Sequence, residues 1–398
     1  MYNNNKRNNF RRFNNNRPNF NRSRNLSRRS FAKHIDPTMY VKEALEFKSI
    51  ENTETTHSFA DFNLNPILEK NILSKGYSKP TLIQDQTIAP ILEGKDILGI
   101  AATGTGKTAA FAIPIINNIL KNPQKKILIL APTRELALQI KEEFRSFTWN
   151  LNVYLAIAIG GAYMGEQIRN IRRGPHIIIG TPGRIKDLAE RKVINFAGID
   201  TLVLDEVDRM LDMGFIKDIQ SIVKQIPYSR QTLFFSATVD KKIEVLIDTF
   251  LKNPVKVSIK TQDASCHVEQ NIIKVPRNAK EGKLHDLLNQ DNFKKVLVFG
   301  STKMIVDKLT NSLNTKGFRV DCIHGNKPQN KRQRVIRAFK NDEINIMVAT
   351  DVAARGLDIA DITHVINYDE PNNYQDYIHR IGRTGRGNSK GYALTFVE

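Results

Sequence analysis

The 398-residue sequence predicts an α/β protein with two parallel-sheet domains. Three observations carry this. Short, continuously apolar, β-branched runs alternate with helical stretches, and strands of that kind are buried on both faces, as in parallel sheets covered by helices. The runs fall into two series separated by the polar stretch TQDASC at 261–266. The length also exceeds that of a usual single domain, and a 40% apolar content supplies two cores.

Residues 1–35 form the first element, an Asn/Arg-rich stretch with ten Lys and Arg and no acid. Such a segment cannot bury enough apolar surface to fold alone and reads as a disordered basic tail. It holds about half of the net charge of +19, a balance that points to a polyanionic partner. With Tyr2, Phe10, Phe13 and Phe20 interleaved, the tail either contacts RNA or serves only as a solubilising extension. Residues 36–58 read as a lead-in.

The first domain is assigned to 59–260. DILGIAA, KILILAP, VYLAIAIGG, HIIIGTP, TLVLDE and QTLFFSAT are its strands, each ending in Gly, Thr, Ser, Pro or a carboxylate. In open α/β sheets the polar strand ends line the ligand crevice. A linker at 261–266 leads to the second domain, 267–398, with strands KVLVFGST, RVDCIHG, INIMVATD, THVINYD and GYALTFV. No apolar run reaches membrane-spanning length, and the N-terminus lacks the apolar stretch of a secretory signal. Cys266 and Cys322 stand far apart without metal-like spacing. They argue against a disulfide scaffold or a zinc site and fit a reducing, cytoplasmic setting.

AATGTGKT at 101–108 follows a strand and opens a helix, the context a P-loop needs. Ala101 stands where the strict pattern has Gly. Gly104 and Gly106 let N–H groups point at phosphates, Lys107 supplies a point charge, and Thr108 offers a hydroxyl to Mg²⁺. Ala102, Thr103 and Thr105 complete the loop. About a hundred residues on, TLVLDEVDRM carries carboxylates out of a buried strand. Asp205 is assigned to the metal and Glu206 to the attacking water. Val207, between the acids, is expected by strand alternation to point into packing.

With these motifs in place, Phe59 to Glu398 resembles the DEAD-box RNA helicases of superfamily 2, whose domains are RecA-like; DEVD replaces the namesake tetrad. The resemblance implies that FADFNLNPILEKNILSKGYSKPTLIQDQ is a Q motif, in which Gln84 reads the adenine edge and Phe59 stacks on the base. It implies RNA-backbone contacts at Pro132, Thr133 and Arg134, at Gly160 and Gly161, and at Thr181, Pro182, Gly183 and Arg184. Independently, Thr133 and Thr181 read as helix N-caps, and helix N-termini beside arginines bind phosphates well. Ser236, Ala237 and Thr238 would bond to Asp208 and couple nucleotide to RNA. In the second domain Phe299–Thr302 resembles a further family motif. Gln329, Arg332 and Thr350 would face RNA, Asp358 the ribose, and Arg355 and His379 the hydrolytic water. Arg383 and Arg386 would reach the γ-phosphate.

The resemblance therefore implies an ATP- and Mg²⁺-dependent RNA helicase acting on single strands and short duplexes with little sequence preference. Two rivals remain at this point: a DNA helicase of the same superfamily, and a non-catalytic ATP-dependent RNA clamp.

Overall fold

The computed structural model describes Met1 and residues 40–44, 55–102, 104–259, 267–354, 357, 359, 361–385 and 389–398. Residues 2–35 of the basic tail, the linker 261–266, Thr103, Arg355, Asp358 and Arg386 lie outside the described residues.

In chain order the first domain runs α1 (Pro66–Ser74), α2 (Leu82–Leu92), β1 (Ile97–Ile100), α3 (Lys107–Lys121), β2 (Ile127–Leu130) and α4 (Arg134–Phe147). It continues with β3 (Leu155–Ala158), α5 (Met164–Arg172), β4 (Ile177–Gly180), α6 (Pro182–Glu190), β5 (Thr201–Leu204), α7 (Val207–Asp212) and α8 (Ile216–Val223). β6 (Gln231–Ser236), α9 (Lys241–Phe250) and β7 (Val255–Ser258) complete it. The strands form one sheet of order β3-β4-β2-β5-β6-β1-β7, parallel throughout.

β2, β4 and β5 are buried at every position, which is why their sequences are unbroken apolar runs rather than alternations. One sheet face packs on α1–α4 around Phe111, Phe144 and Phe235, the other on α5–α9 around Leu204, Met210 and Phe234. Strand order decides where the chemistry lies. β6 sits between β1 and β5, with Ile100 beside Ser236 and Leu204 beside Phe234. The loop after β1, the acids after β5 and the SAT at the end of β6 therefore emerge side by side.

The second domain runs β8 (Val268–Lys274), α10 (Lys280–Leu288), β9 (Val296–Phe299), α11 (Lys303–Thr315), β10 (Val320–Ile323) and α12 (Gln329–Lys340). β11 (Ile346–Ala349), α13 (Asp351–Ala354), β12 (His364–Asn367), α14 (Tyr374–Ile381) and β13 (Gly391–Val397) follow. Its sheet, order β10-β11-β9-β12-β13-β8, is again parallel. β7 and β8 had not been foreseen. Both are edge strands with alternating exposure, so they lack the apolar run that marks the others.

The lead-in is not a free spacer ahead of the first domain. Lys42 and Gln270 exchange backbone hydrogen bonds of 3.0 and 2.8 Å in an antiparallel bridge. Tyr40 is fully buried against Tyr377, ring centroids 4.6 Å apart. Residues 40–44 thus cover part of the β8 edge of the second sheet, which would otherwise present unpaired N–H and C=O groups.

Candidate nucleotide and nucleic-acid site

The glycine-rich loop is held from behind by the segment ahead of β1. Thr81 caps α2; its N–H donates to Gln84 Oε1 at 2.9 Å, and its Oγ1 donates to the Thr105 carbonyl at 2.9 Å. Gln84 Nε2 donates to the Gly106 carbonyl at 3.1 Å. Gly106 is left-handed at φ 94°, and an added Cβ would stand 2.5 Å from that Nε2, so only glycine fits. Gln84 is fully buried. One amide hydrogen and one carbonyl lone pair of Gln84 serve the fold, and the second hydrogen and second lone pair remain for a base edge. Phe59, expected to stack on the base, is 2% exposed and packs edge-on to Phe62 in the core. Tyr77 instead lines the cavity over the loop, together with Gly104, Lys107, Thr108, Asp205 and Glu206.

Lys107 opens α3 and donates to the Ala101 carbonyl at 2.6 Å. Asp205 follows β5 and is 2% exposed. Burial raises its titration to about 7; Lys107 opposes the rise, and Glu206 and Asp208 add to it. Its Oδ1 is buried with no hydrogen-bond partner among the described residues. That buried carboxylate oxygen, in a cavity that Thr108 also lines, belongs to a donor set suited to a hard cation such as Mg²⁺.

Glu206 is left-handed, φ 53° and ψ 54°, at the N-cap of α7, a conformation that costs a non-glycine residue roughly 1–2 kcal/mol. Such strain collects at functional sites. Its carboxylate accepts from Arg209 Nη1 at 2.8 Å, both side chains about 5% exposed. Arg209 was not among the predicted residues, although its position one helical turn from Glu206 could have shown it. Val207 is fully buried beside Leu204 and Met210. It points inward because it begins a helix, not by strand alternation as expected. Asp208 Oδ2 accepts from the N–H groups of Ala237 and Thr238, both at 3.2 Å, and from Thr238 Oγ1 at 3.3 Å. Ser236 Oγ donates to the Thr238 carbonyl at 2.7 Å, so the acid helix and the SAT turn form one unit.

A second group of predicted residues gathers around α4 and α6. Thr133 accepts from Leu136 N–H at 3.2 Å and caps α4, a bond worth about 1 kcal/mol. Arg134 lies against Gly160 and Gly161, where an added Cβ on Gly161, at φ 74°, would strike its guanidinium. Pro132 and Thr181 are buried, Pro182 opens α6, and Gly183 follows it exposed. Arg184 titrates below its usual value, through burial first and then the nearby charges of Arg134 and Arg191. Clustered cations of this kind favour an anion.

Gln329 and Arg332, expected to face RNA, are both engaged by a first-domain carboxylate in this structure. Arg332 Nη2 pairs with Glu135 of the first domain at 2.9 Å, both nearly buried, and Gln329 Nε2 donates to the same carboxylate at 3.2 Å. The α12 N-terminus is thereby clasped to α4. Thr350 is half-buried and its N–H donates to the Ile323 carbonyl at 3.3 Å.

Arg383 is 3% exposed and donates to the carbonyls of Leu357, at 2.6 Å, and His379, at 3.2 Å. It thereby props the segment whose Leu357 lines the nucleotide cavity. His379 lies in the last turn of α14, its Nε2 3.3 Å from Gln375 Nε2. The unforeseen partner here is Arg380. It grips Asp351 bidentately at 2.6 and 2.8 Å, donates to the Asp369 carbonyl at 2.7 Å, and lies over Phe299.

Two parallel-sheet domains meeting over a glycine-rich loop and buried carboxylates define a RecA-like helicase. The DEAD/DEAH box helicase family model matches residues 81–246, and that of the helicase conserved C-terminal domain matches 279–388. An ATP-dependent RNA helicase CshA from Listeria monocytogenes is 44% identical over 342 residues, which are 85% of this chain and 66% of the relative. The DEAD-box ATP-dependent RNA helicase CshA of Bacillus subtilis is 43% identical over 344 residues, 86% of this chain and 70% of the relative. The chain thus spans about two thirds of the length of these relatives. Among solved structures, S. cerevisiae Dbp5 bound to RNA and ADP BeF3 aligns with a TM-score of 0.76 and 29% identity, covering 86% of this chain and 89% of that one. Mss116p bound to ssRNA and AMP-PNP aligns at 0.77 and 30%, covering 89% and 77%. The chain belongs to the DEAD-box helicase family.

Proposed function

We propose that this chain is an RNA-stimulated ATPase that binds RNA backbone across both domains and opens short duplexes locally. The observation that carries the reading is the joined unit of Asp205, Glu206 and Asp208, with the SAT backbone bonded to Asp208 beside the glycine-rich loop.

In this reading 101–108 is a P-loop, and Lys107 exchanges the Ala101 carbonyl for the β and γ phosphates of ATP. Asp205 and Thr108 would hold Mg²⁺, which when bound neutralises charge on the phosphates. Glu206, fixed by its left-handed backbone and by Arg209, orients the attacking water and takes its proton. Arg355 and Arg386 supply charge from the second domain, and Asp358 holds the ribose. Arg383, which props Leu357 in this structure, would join Arg386 on the γ-phosphate by exchanging that carbonyl. Thr133, Arg134, Gly161, Thr181 and Arg184 take RNA phosphates at helix N-termini. Contacts to backbone carry no base information, so sequence preference is slight. The tail 1–35 adds affinity that salt weakens. A cytoplasmic setting suits both the reactants and the cysteine usage.

Steady-state ATPase with no nucleic acid, with RNA and with matched DNA tests the proposal. Stimulation by RNA and not by DNA is expected. Equal stimulation by DNA would transfer the reading to a DNA helicase, and no turnover with ATP bound would leave a clamp.

A further inference from the structure

We propose that Asp307, Cys322 and His324 form a binding site for a borderline divalent transition metal of the zinc type, on the second domain and apart from the nucleotide cavity. Spacing between cysteines does not reveal it, because these donors come from two elements. Cys322 lies on β10 and His324 just beyond its end; Asp307 faces them from α11.

The donors are already close to coordination spacing. Cys322 Sγ is 3.5 Å and His324 Nε2 3.0 Å from Asp307 Oδ1, and all three atoms lie within 4.8 Å of one another. A tetrahedral zinc ion with bonds of about 2.0–2.3 Å places its ligand atoms roughly 3.3–3.7 Å apart. Cys322 and His324 are 1% and 3% exposed, so the fold fixes them, while the Asp307 side chain is 47% exposed and leaves a route in. One thiol, one imidazole and one carboxylate select zinc-like ions over Mg²⁺ or Ca²⁺.

Binding needs three adjustments. The thiol proton leaves to solvent as the sulfur–metal bond forms. His324 carries its proton on Nδ1 so that Nε2 donates to the metal, which displaces the 3.4 Å contact from the Asn326 N–H. Lys327, whose Nζ lies 3.6 Å from Asp307 Oδ1 and which also hydrogen-bonds the Cys322 thiol, must swing outward and give up both contacts. Solvent takes the fourth position.

The test is a Co²⁺ titration of the full chain carrying Cys266→Ser, with Mg²⁺ present, so that Cys322 is the sole thiol. One equivalent is expected to bind with a thiolate-to-cobalt charge-transfer band and tetrahedral d–d bands, both removed by Zn²⁺. Cys322→Ala, with circular dichroism to check the fold, should abolish the bands. Asp307→Asn, at an exposed position, should weaken binding several-fold, and Lys327→Met should tighten it. Absence of the charge-transfer band, its survival in Cys322→Ala, or indifference to Asp307→Asn would overturn the proposal. ATP turnover enters none of these readouts.

Discussion

Asp205→Asn is expected to stabilise the folded chain while abolishing ATP turnover. The carboxylate is 2% exposed, and burial, opposed by Lys107 and reinforced by Glu206 and Asp208, lifts its titration from 3.8 to about 7. A carboxylate raised in this way binds its proton more tightly in the folded state than in the unfolded one. The resulting penalty is absent below about pH 4, grows as pH rises, and is complete above about pH 7. At ~1.36 kcal/mol per pH unit, the interval from 3.8 to about 7 is on the order of 4 kcal/mol. Asparagine keeps the shape and never ionises, so it should recover a sizeable part of this. A kcal/mol moves Tm by roughly 2–4 °C in a domain of 150–250 residues. Thermal unfolding with EDTA at pH 8 should place the variant several degrees above the parent, and at pH 5 the gap should narrow. A variant less stable at pH 8, or a gap equal at both pH values, would refute the view of Asp205 as a desolvated charge.

Four further outcomes follow from the same structure. Glu206→Gln keeps the hydrogen bond to Arg209 but cannot take a proton, so ATPase should fall ~10²–10⁴-fold with ATP binding intact by equilibrium titration. Val207→Ala removes two methyl groups from a filled core and should cost about 2 kcal/mol in chemical denaturation; RNA-stimulated ATPase should change less than about tenfold, a larger rise contradicting a packing role. Glu135→Gln leaves Arg332 buried without its counter-charge, a loss of ~3–5 kcal/mol for such pairs, and interdomain fluorescence transfer should report wider separation. His364, stacked between Phe293 and Tyr392, is pushed down to about 4 by burial. Its folded form resists protonation, so stability should be full above about pH 6.5 and decline towards pH 4, a slope that His364→Phe should flatten in acid titrations followed by circular dichroism.

What could be read from the sequence divides along a physical line. Buried parallel strands announce themselves because both faces are apolar, and β2, β4, β5, β9 and β11 lie where unbroken runs placed them. Edge strands β7 and β8 do not, since half their side chains meet solvent. Loop chemistry was visible where one short stretch contains it all, as at Gly104–Thr108 and Asp205–Asp208. Pairings across long separations were not. Nothing local in Arg332 points to Glu135, 197 positions earlier and in the other domain, and nothing in Tyr40 points to Tyr377. The backbone of Glu206 was equally hidden: a strand that turns into a helix through one left-handed residue has no periodicity of its own, and Val207 was therefore placed correctly for the wrong reason.

The residues expected to touch ligand share a feature that alters how binding energy is understood here. Lys107 already holds a carbonyl, Gln84 holds the loop, Arg332 holds Glu135, and Arg383 holds Leu357. Ligand binding on these groups is an exchange of partners rather than the filling of vacant ones. Exchanges between hydrogen bonds of similar quality are nearly neutral, on the order of 1 kcal/mol, so individual contacts contribute little and charge and geometry decide affinity. The exchanges also fall where the two domains meet. Glu135 sits on the helix that begins with Thr133 and Arg134, and it binds the second domain's Arg332; Leu357 lines the nucleotide cavity while its carbonyl accepts from Arg383. An RNA phosphate that draws Arg332 from Glu135 frees α12 from α4, and nucleotide that shifts Leu357 moves the support of α14. On the proposed reading, RNA would act through the Arg332–Glu135 pair and nucleotide through Leu357 and Arg383, both where the second domain meets the first, so the two sites would be coupled through that contact without the ligands touching.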